Sequence, residues 1–276
     1  MKQWKTIIEP KTRLLDLPLR EIWQYRGLIF MLVKRNYEIQ YKQTILGPGW
    51  MIINPILSSG LFSLIFGYVG NFSSDGIPYF LFCMSATIIW NYFAGCVTSN
   101  TSIFLANAYL FGKVYFPRMV VPISNVIFEF IRFFIQFIVC CLVWLYFFIQ
   151  GQVAFTGWYL VILVFETALL GMAVGMIVSS LTTKYRDLTH LVGFGMQLLM
   201  YLAPVLYPIS DLPRFLQKIV LINPMASIVE AFRFAMTGAG DIHWFALLYS
   251  TVFAVVAAFG SMILYNQTEK TFIDIV

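Results

Sequence analysis

The stretch PISNVIFEFIRFFIQFIVCCLVWLYFFI, residues Pro122 to Ile149, decides the fold. It runs past the roughly 20 apolar residues that a helix needs to cross a bilayer. Only Glu129 and Arg132 carry charge within it. A strand of a soluble sheet is far shorter, and a soluble helix alternates apolar and polar faces. The stretch reads as a transmembrane helix.

The rest of the chain agrees. Of 276 residues, 60% are hydrophobic and 11% charged, against about 45–50% and about 25% in soluble domains. The mean hydropathy is +0.79. Too little polar surface is present for a soluble enzyme, a disordered chain or a nucleic-acid-binding domain. The expectation is an all-α polytopic membrane protein.

Working outward, five more spans are expected, at about Trp50–Tyr68, Tyr79–Val97, Trp158–Leu181, His190–Tyr207 and Trp244–Tyr265. Aromatic residues stand at many of their ends, as an interfacial belt requires. Between the last two spans, residues 208–243 are too long for a hairpin and too apolar for a free loop. They hold two short helical patterns, about Leu212–Ile222 and Pro224–Met236, broken at Asn223-Pro224. Each is too short to span. They are expected to re-enter the membrane as a pair, with two helices lying flat on the surface as the alternative.

The net charge of +5 is local. Before residue 50, nine basic residues (Lys2, Lys5, Lys11, Arg13, Arg20, Arg26, Lys34, Arg35 and Lys42) oppose Glu9, Asp16, Glu21 and Glu38; the remainder is neutral. The segment from about Leu19 to Gln43 reads as an amphipathic helix on the membrane surface. Residues 1–49 thus form a tail and interface helix, and 50–276 the membrane domain, with the re-entrant helices at about 212–236. Lysine and arginine counts place both termini in the cytoplasm.

The four cysteines, Cys83, Cys96, Cys140 and Cys141, lie in apolar runs, and no disulfide is expected. His190 and His243 are the only histidines and fall on opposite sides, so a metal or histidine-based catalytic site is not expected. There is no phosphate-binding GxxxxGK[ST] loop. Charges inside membrane segments are candidates for function, because burying them in lipid is costly. Glu129 and Arg132, three residues apart, can pair. Glu166 can face a water-filled path, meet a neighbouring chain or be protonated. Glu230 and Arg233 repeat the three-residue spacing and are expected to brace the re-entrant turn. Gly171 and Gly175 form a GxxxG stripe, read as tight packing within the chain.

Six motifs in order resemble one family. They are Lys34 to Trp50 (KRNYEIQYKQTILGPGW), Gly112 to Arg118 (GKVYFPR), Lys184 to Leu188 (KYRDL), Tyr201 to Pro208 (YLAPVLYP), Asn223 to Ala226 (NPMA) and Glu269 to Asp274 (EKTFID). Together they resemble the membrane subunit of polysaccharide ABC exporters of the O-antigen and teichoic-acid type, in the type-2 ABC exporter superfamily. Gly49, after Pro48, departs from the bulkier residue common there.

The resemblance implies a homodimer joined to two copies of a separate ABC ATPase, in the bacterial inner membrane. The cargo would be polysaccharide linked to undecaprenyl pyrophosphate. No cofactor is expected in this chain; ATP and magnesium would sit on the ATPase. Tyr37, Tyr41, Leu46 and Gly47 would form the entrance gate. Asn107, Lys113, Lys184, Arg186 and Asp187 would couple to the ATPase. Pro204, Pro208, Asn223, Pro224, Glu230 and Arg233 would form the outer gate. Two rival readings stand beside this one. One is export of a small hydrophobic drug. The other is a membrane-embedded lipid-modifying enzyme, for which only Glu129, Arg132 and Glu166 offer intramembrane polar groups.

Overall fold

The computed structural model describes residues 19–113, 116–185 and 187–275, with backbone alone for 19, 112–113 and 269–275. Among these the chain forms helices and turns and no strand. It begins with α1 (Leu19–Gln24) and α2 (Arg26–Tyr41), then α3 (Gly49–Phe62), which continues as a wider i→i+5 turn through Ser63–Val69. Next come α4 (Tyr79–Thr101), the short α5 (Ile103–Ala106) and α6 (Ala108–Lys113), α7 (Val120–Ile149) and α8 (Leu160–Thr182). The chain closes with α9 (Leu188–Tyr201), α10 (Arg214–Ile222), α11 (Pro224–Thr237) and α12 (Trp244–Ile275).

Five segments among the described residues are long and apolar enough to cross a membrane: Gly49–Val69, Tyr79–Thr101, Val120–Ile149, Leu160–Thr182 and Trp244–Thr268. The protein is therefore a multi-pass helical membrane protein. The expected spans 1 to 4 and 6 match these closely.

The expected span at His190–Tyr207 is helical over only part of its length. Its helix, α9, has 14 residues, about 21 Å at 1.5 Å per residue, short of a hydrocarbon core about 30 Å thick. Apolar sequence continues to Tyr207, but Pro204 and Pro208 cannot supply the N–H groups a helix needs. The chain leaves the helix at Leu202, and Ala203, Val205 and Leu206 are buried in non-helical backbone. The continuous helix expected from Leu19 to Gln43 also differs, because it breaks at Tyr25. Nor does it lie free on a surface: Leu32, Val33 and Tyr41 are buried, and α2 packs on α7.

The centre of the bundle is α4, packed on α8, α7, α3 and α11. Glycines allow its closest approach. A Cβ at Gly171 would lie 2.6 Å from Cys96 Cβ, and one at Gly175 would lie 2.6 Å from Asn100 Cβ. The GxxxG stripe thus packs α8 on α4 within one chain, and α8 packs on α12 on another face. The four cysteines are free; three are buried and Cys141 is half-buried.

Connections fall at two ends of the bundle. At one end, Tyr265 Oη donates to the Arg118 carbonyl at 3.3 Å, and Thr182 Oγ1 donates to the Thr101 carbonyl at 2.9 Å. At the other, Ser210 Oγ donates to Asp75 Oδ1 at 3.1 Å, and the Ala154 N–H donates to the Thr237 carbonyl at 3.0 Å. The pair α10 and α11 belongs to this second end and is bent by 102°. Nearly all of α11 is buried, from Met225 to Thr237 with Phe234 half-buried, so it does not lie flat on a surface.

Candidate functional site

The first end carries an open groove of about 720 Å³ where α2 turns into α3. Lys34, Tyr37, Glu38, Tyr41 and Lys42 line it from the helix, and Thr44 to Pro48 from the turn. Gly47 has φ +52°, a left-handed conformation that lets the chain reverse into α3. Ile45 and Leu46, beside it, are exposed. The structure therefore brings Tyr37, Tyr41, Leu46 and Gly47 around one groove.

These residues do different work. The Tyr37 and Tyr41 rings lie 5.6 Å apart. Tyr37 is exposed, whereas Tyr41 is buried with Val33, Met51 and Phe128, joining α2, α3 and α7. Burial pushes the Tyr41 hydroxyl above its usual pKa, against the opposing pull of Arg132. Lys42 meets Glu38 at 3.5 Å on the exposed surface, a pair worth only a few tenths of a kcal/mol in water (~0.3–0.5). An amphiphile with an anionic head fits such a lining: ammonium groups on the helix, apolar side chains on the turn.

A second groove of about 480 Å³ lies beside it, between α2, α7 and the α4–α5 turn. Its polar side chains form a ladder. Asn36 Nδ2 donates to Asn125 Oδ1 at 2.9 Å, and Asn125 Nδ2 donates to Asn100 Oδ1 at 3.1 Å. Asn100 Nδ2 in turn donates to the Cys96 carbonyl at 2.7 Å. Arg35 Nη2 donates to Asn107 Oδ1 at 3.0 Å. Asn107 is thereby fixed to α2 at the start of α6. Lys184 lies exposed beside the Tyr185 ring, and Asp187 stands immediately before α9. Arg186 and the Lys113 side chain lie outside the described residues, as do Val114 and Tyr115 and the side chains of Glu269 to Asp274.

Within the bundle, Arg132 Nη1 lies 3.3 Å from Glu129 Oε2, so these two form an ion pair. Glu129 is buried against Gly95 of α4, where a side chain would clash with the carboxyl. Glu166 reaches α12 of the same chain through its Oε1. That atom accepts from Ser250 Oγ at 2.8 Å and Thr251 Oγ1 at 3.2 Å, both on α12. Two hydroxyls in the same bundle satisfy it.

At the second end, the broken tail of α9 is held in place by side chains. Arg233 donates to the Pro204 carbonyl and Tyr79 to the Leu206 carbonyl. Non-helical backbone at membrane depth is tolerated only where the protein satisfies it, and these bonds do so. Arg233 is 1% exposed and its guanidinium lies 3.6 Å from the centre of the Phe82 ring. The expected Glu230–Arg233 ion pair is corrected. No such pair forms: Arg233 turns to the carbonyl freed by the prolines, and Glu230 Oε2 faces His243 Nε2 at 3.9 Å. Asn223 caps α11, its Oδ1 accepting from the Met225 N–H at 3.1 Å, with Pro224 as the first helical residue. Pro208 is buried at the start of the next turn.

Sequence reasoning missed Asn36, Asn100, Asn125 and Arg35 as a connected set. The available signal was amides at apolar-face positions of α2, α4 and α7, and nothing local says which amide meets which.

The fold defines a multi-pass membrane protein with a broken helix and a bent helix pair at one end and two grooves at the other. The chain belongs to the ABC-2 type transporter family, whose pattern matches residues 27–237. It is the membrane component of an ABC transporter. It is 28% identical over 254 residues to the O-antigen export system permease protein RfbA of Klebsiella pneumoniae, covering 90% of this chain and 94% of that one. It is 27% identical over 220 residues to the Myxococcus xanthus protein of the same name, covering 78% and 82%. It is 23% identical over 249 residues to the polysialic acid transport protein KpsM of Escherichia coli, covering 87% and 92%.

Proposed function

We propose that this chain is the permease subunit of an ATP-driven exporter of lipid-linked polysaccharide. Two copies would stand with two copies of a separate ATPase in the bacterial cytoplasmic membrane, with both termini in the cytoplasm. The α2 end is then the cytoplasmic end, which suits its excess of basic residues. The cargo carries an anionic pyrophosphate head and a long apolar chain. The observation that carries this reading is the 720 Å³ groove, with Lys34 and Lys42 beside the exposed Ile45 and Leu46 at the foot of α3. The relatives named for O-antigen export support the polysaccharide over a small drug.

Energy would enter through the α5–α6 connection. Arg35–Asn107 and the asparagine ladder give that connection a rigid hold on α2, and α2 borders the groove. Movement imposed on α5 and α6 by an ATPase would thus reach the entrance without crossing the bundle. The bent pair and the α9 tail, at the opposite end, would form the exit.

Deleting the gene in its own cell tests this. The expected result is loss of surface polysaccharide with lipid-linked polymer accumulating inside, restored by the intact gene. Undiminished surface polymer would overturn the proposal.

A further inference from the structure

The helix α10 buries one side chain, Val220, and leaves the rest of its surface half-buried or exposed. Phe215, Ile219 and Ile222 are 72%, 40% and 67% exposed. Their spacing of four and three residues puts them on one stripe of the helix. Arg214 and Lys218 are exposed along one edge of that stripe, themselves four apart. The helix is fixed at both ends: Gln217 Nε2 donates to the Leu212 carbonyl at 2.9 Å, and Tyr249 Oη donates to the Ile222 carbonyl at 3.3 Å. This apolar stripe is thus a set surface of the folded chain, turned 102° away from the buried α11.

We propose that α10 is an interfacial anchor. Its Phe215–Ile219–Ile222 stripe enters the acyl boundary of the leaflet at its own end, and Arg214 and Lys218 bind anionic phospholipid headgroups. An apolar stripe with a basic edge is the composition of helices that lie in the membrane plane. The long stems of arginine and lysine lie along apolar surface while the charges reach phosphate. A second copy of the chain is the other conceivable occupant. It would have to cover Lys218 together with the stripe, whereas lysine is depleted from protein interfaces relative to the rest of the surface. Charge complementarity favours the lipid. The two halves of the bent pair then divide their roles: α11 is held by the bundle, and α10 ties the pair to the bilayer surface.

Nitroxide labels at Ile219→Cys, Phe215→Cys and Lys218→Cys test this in the full chain reconstituted in vesicles. The unsubstituted chain, labelled in parallel, gives the background from the native cysteines. Val256→Cys on the exposed face of α12 supplies the lipid reference and Ser73→Cys the aqueous one. The expected result is that labels at 219 and 215 collide with oxygen several-fold more than with a water-soluble nickel chelate, as at 256, while the label at 218 behaves more like that at 73. Replacing half the phosphatidylcholine by phosphatidylglycerol should move the 219 label deeper, and Arg214→Gln with Lys218→Gln should abolish that movement. Nickel accessibility at 219 equal to that at 73 overturns the proposal, as does spectral broadening that requires a second label beside it. Insensitivity of the 219 label to phosphatidylglycerol overturns the headgroup contact.

Discussion

The first two spans, α3 and α4, have the same mean hydropathy, 1.6 over their most apolar stretches, yet 11% of the first stretch is buried and 83% of the second. Sequence hydrophobicity therefore says that both belong in a membrane and nothing about which is the hub. Small residues separate them. Gly95 and Cys96 of α4 meet Glu129 of α7 and Gly171 of α8 in close contact, whereas a Cβ at Gly60 of α3 would meet only the Phe80 ring, at 3.9 Å. Between helices in lipid, association comes from close packing and hydrogen bonds rather than from the hydrophobic effect. The helix with close approaches becomes the core, and α3 keeps a face of Leu57, Leu61 and Leu64 for lipid or for another chain.

The largest effect is expected where charge is buried against the hub. Arg132→Ala leaves the Glu129 carboxylate beside Gly95 without its partner. Removing one member of a buried pair costs about 3–5 kcal/mol, and the partial exposure of Arg132 places this change at about 3. Thermal unfolding in detergent should show it, and recovery in Glu129→Gln/Arg132→Ala would confirm the cause. Next comes Gly175→Leu. Its first side-chain atom would meet Asn100 Cβ at 2.6 Å and the Val97 carbonyl oxygen at 2.8 Å, so it falls at or above the upper end of the roughly 1–3 kcal/mol typical of overpacking. Asn125→Leu removes the middle of the amide ladder and takes away the acceptor of Asn36 Nδ2 and the donor to Asn100 Oδ1, an expected loss of about 1–3 kcal/mol. The same variant should also weaken the ATP dependence of transport, because α2 loses a link to α4.

The smallest effect on folding is expected on α3. Leu57→Trp and Gly60→Ala should shift stability by less than about 0.5 kcal/mol. Leu57→Trp should nonetheless reduce export if this face of α3 meets the second copy of the chain. A large loss of stability from either variant would erase the contrast between the two spans.

The limits of sequence reading follow the same physics. The ends of α3, α4, α7 and α8 were legible within a few residues, because hydropathy and proline or glycine boundaries are local. The end of α9 was not: the apolar run Leu202 to Tyr207 reads as span, and only the bonds from Arg233 and Tyr79 show how the unwound backbone is satisfied. Tyr37, Tyr41, Leu46 and Gly47 share one groove because they lie close together in the chain, at the end of α2 and in the turn after it. The ladder Asn36–Asn125–Asn100 joins three helices, and its pairing exists only once they are packed. Glu230 and Arg233 show the same limit, since an i,i+3 spacing makes a pair possible and a distant carbonyl decides against it.

ATP-driven movement of a lipid-linked polymer through a dimer of this chain, as proposed, is open to direct measurement. The most direct measurement reconstitutes the chain with a partner ABC ATPase, and lipid-linked polysaccharide, in sealed vesicles. A glycosidase outside the vesicles then reports which polymer remains accessible. ATP should convert cleavable polymer to a protected form, and Lys34→Glu/Lys42→Glu should slow the conversion while the protein stays folded. Equal protection with and without ATP, or conversion in vesicles lacking this chain, would contradict the account.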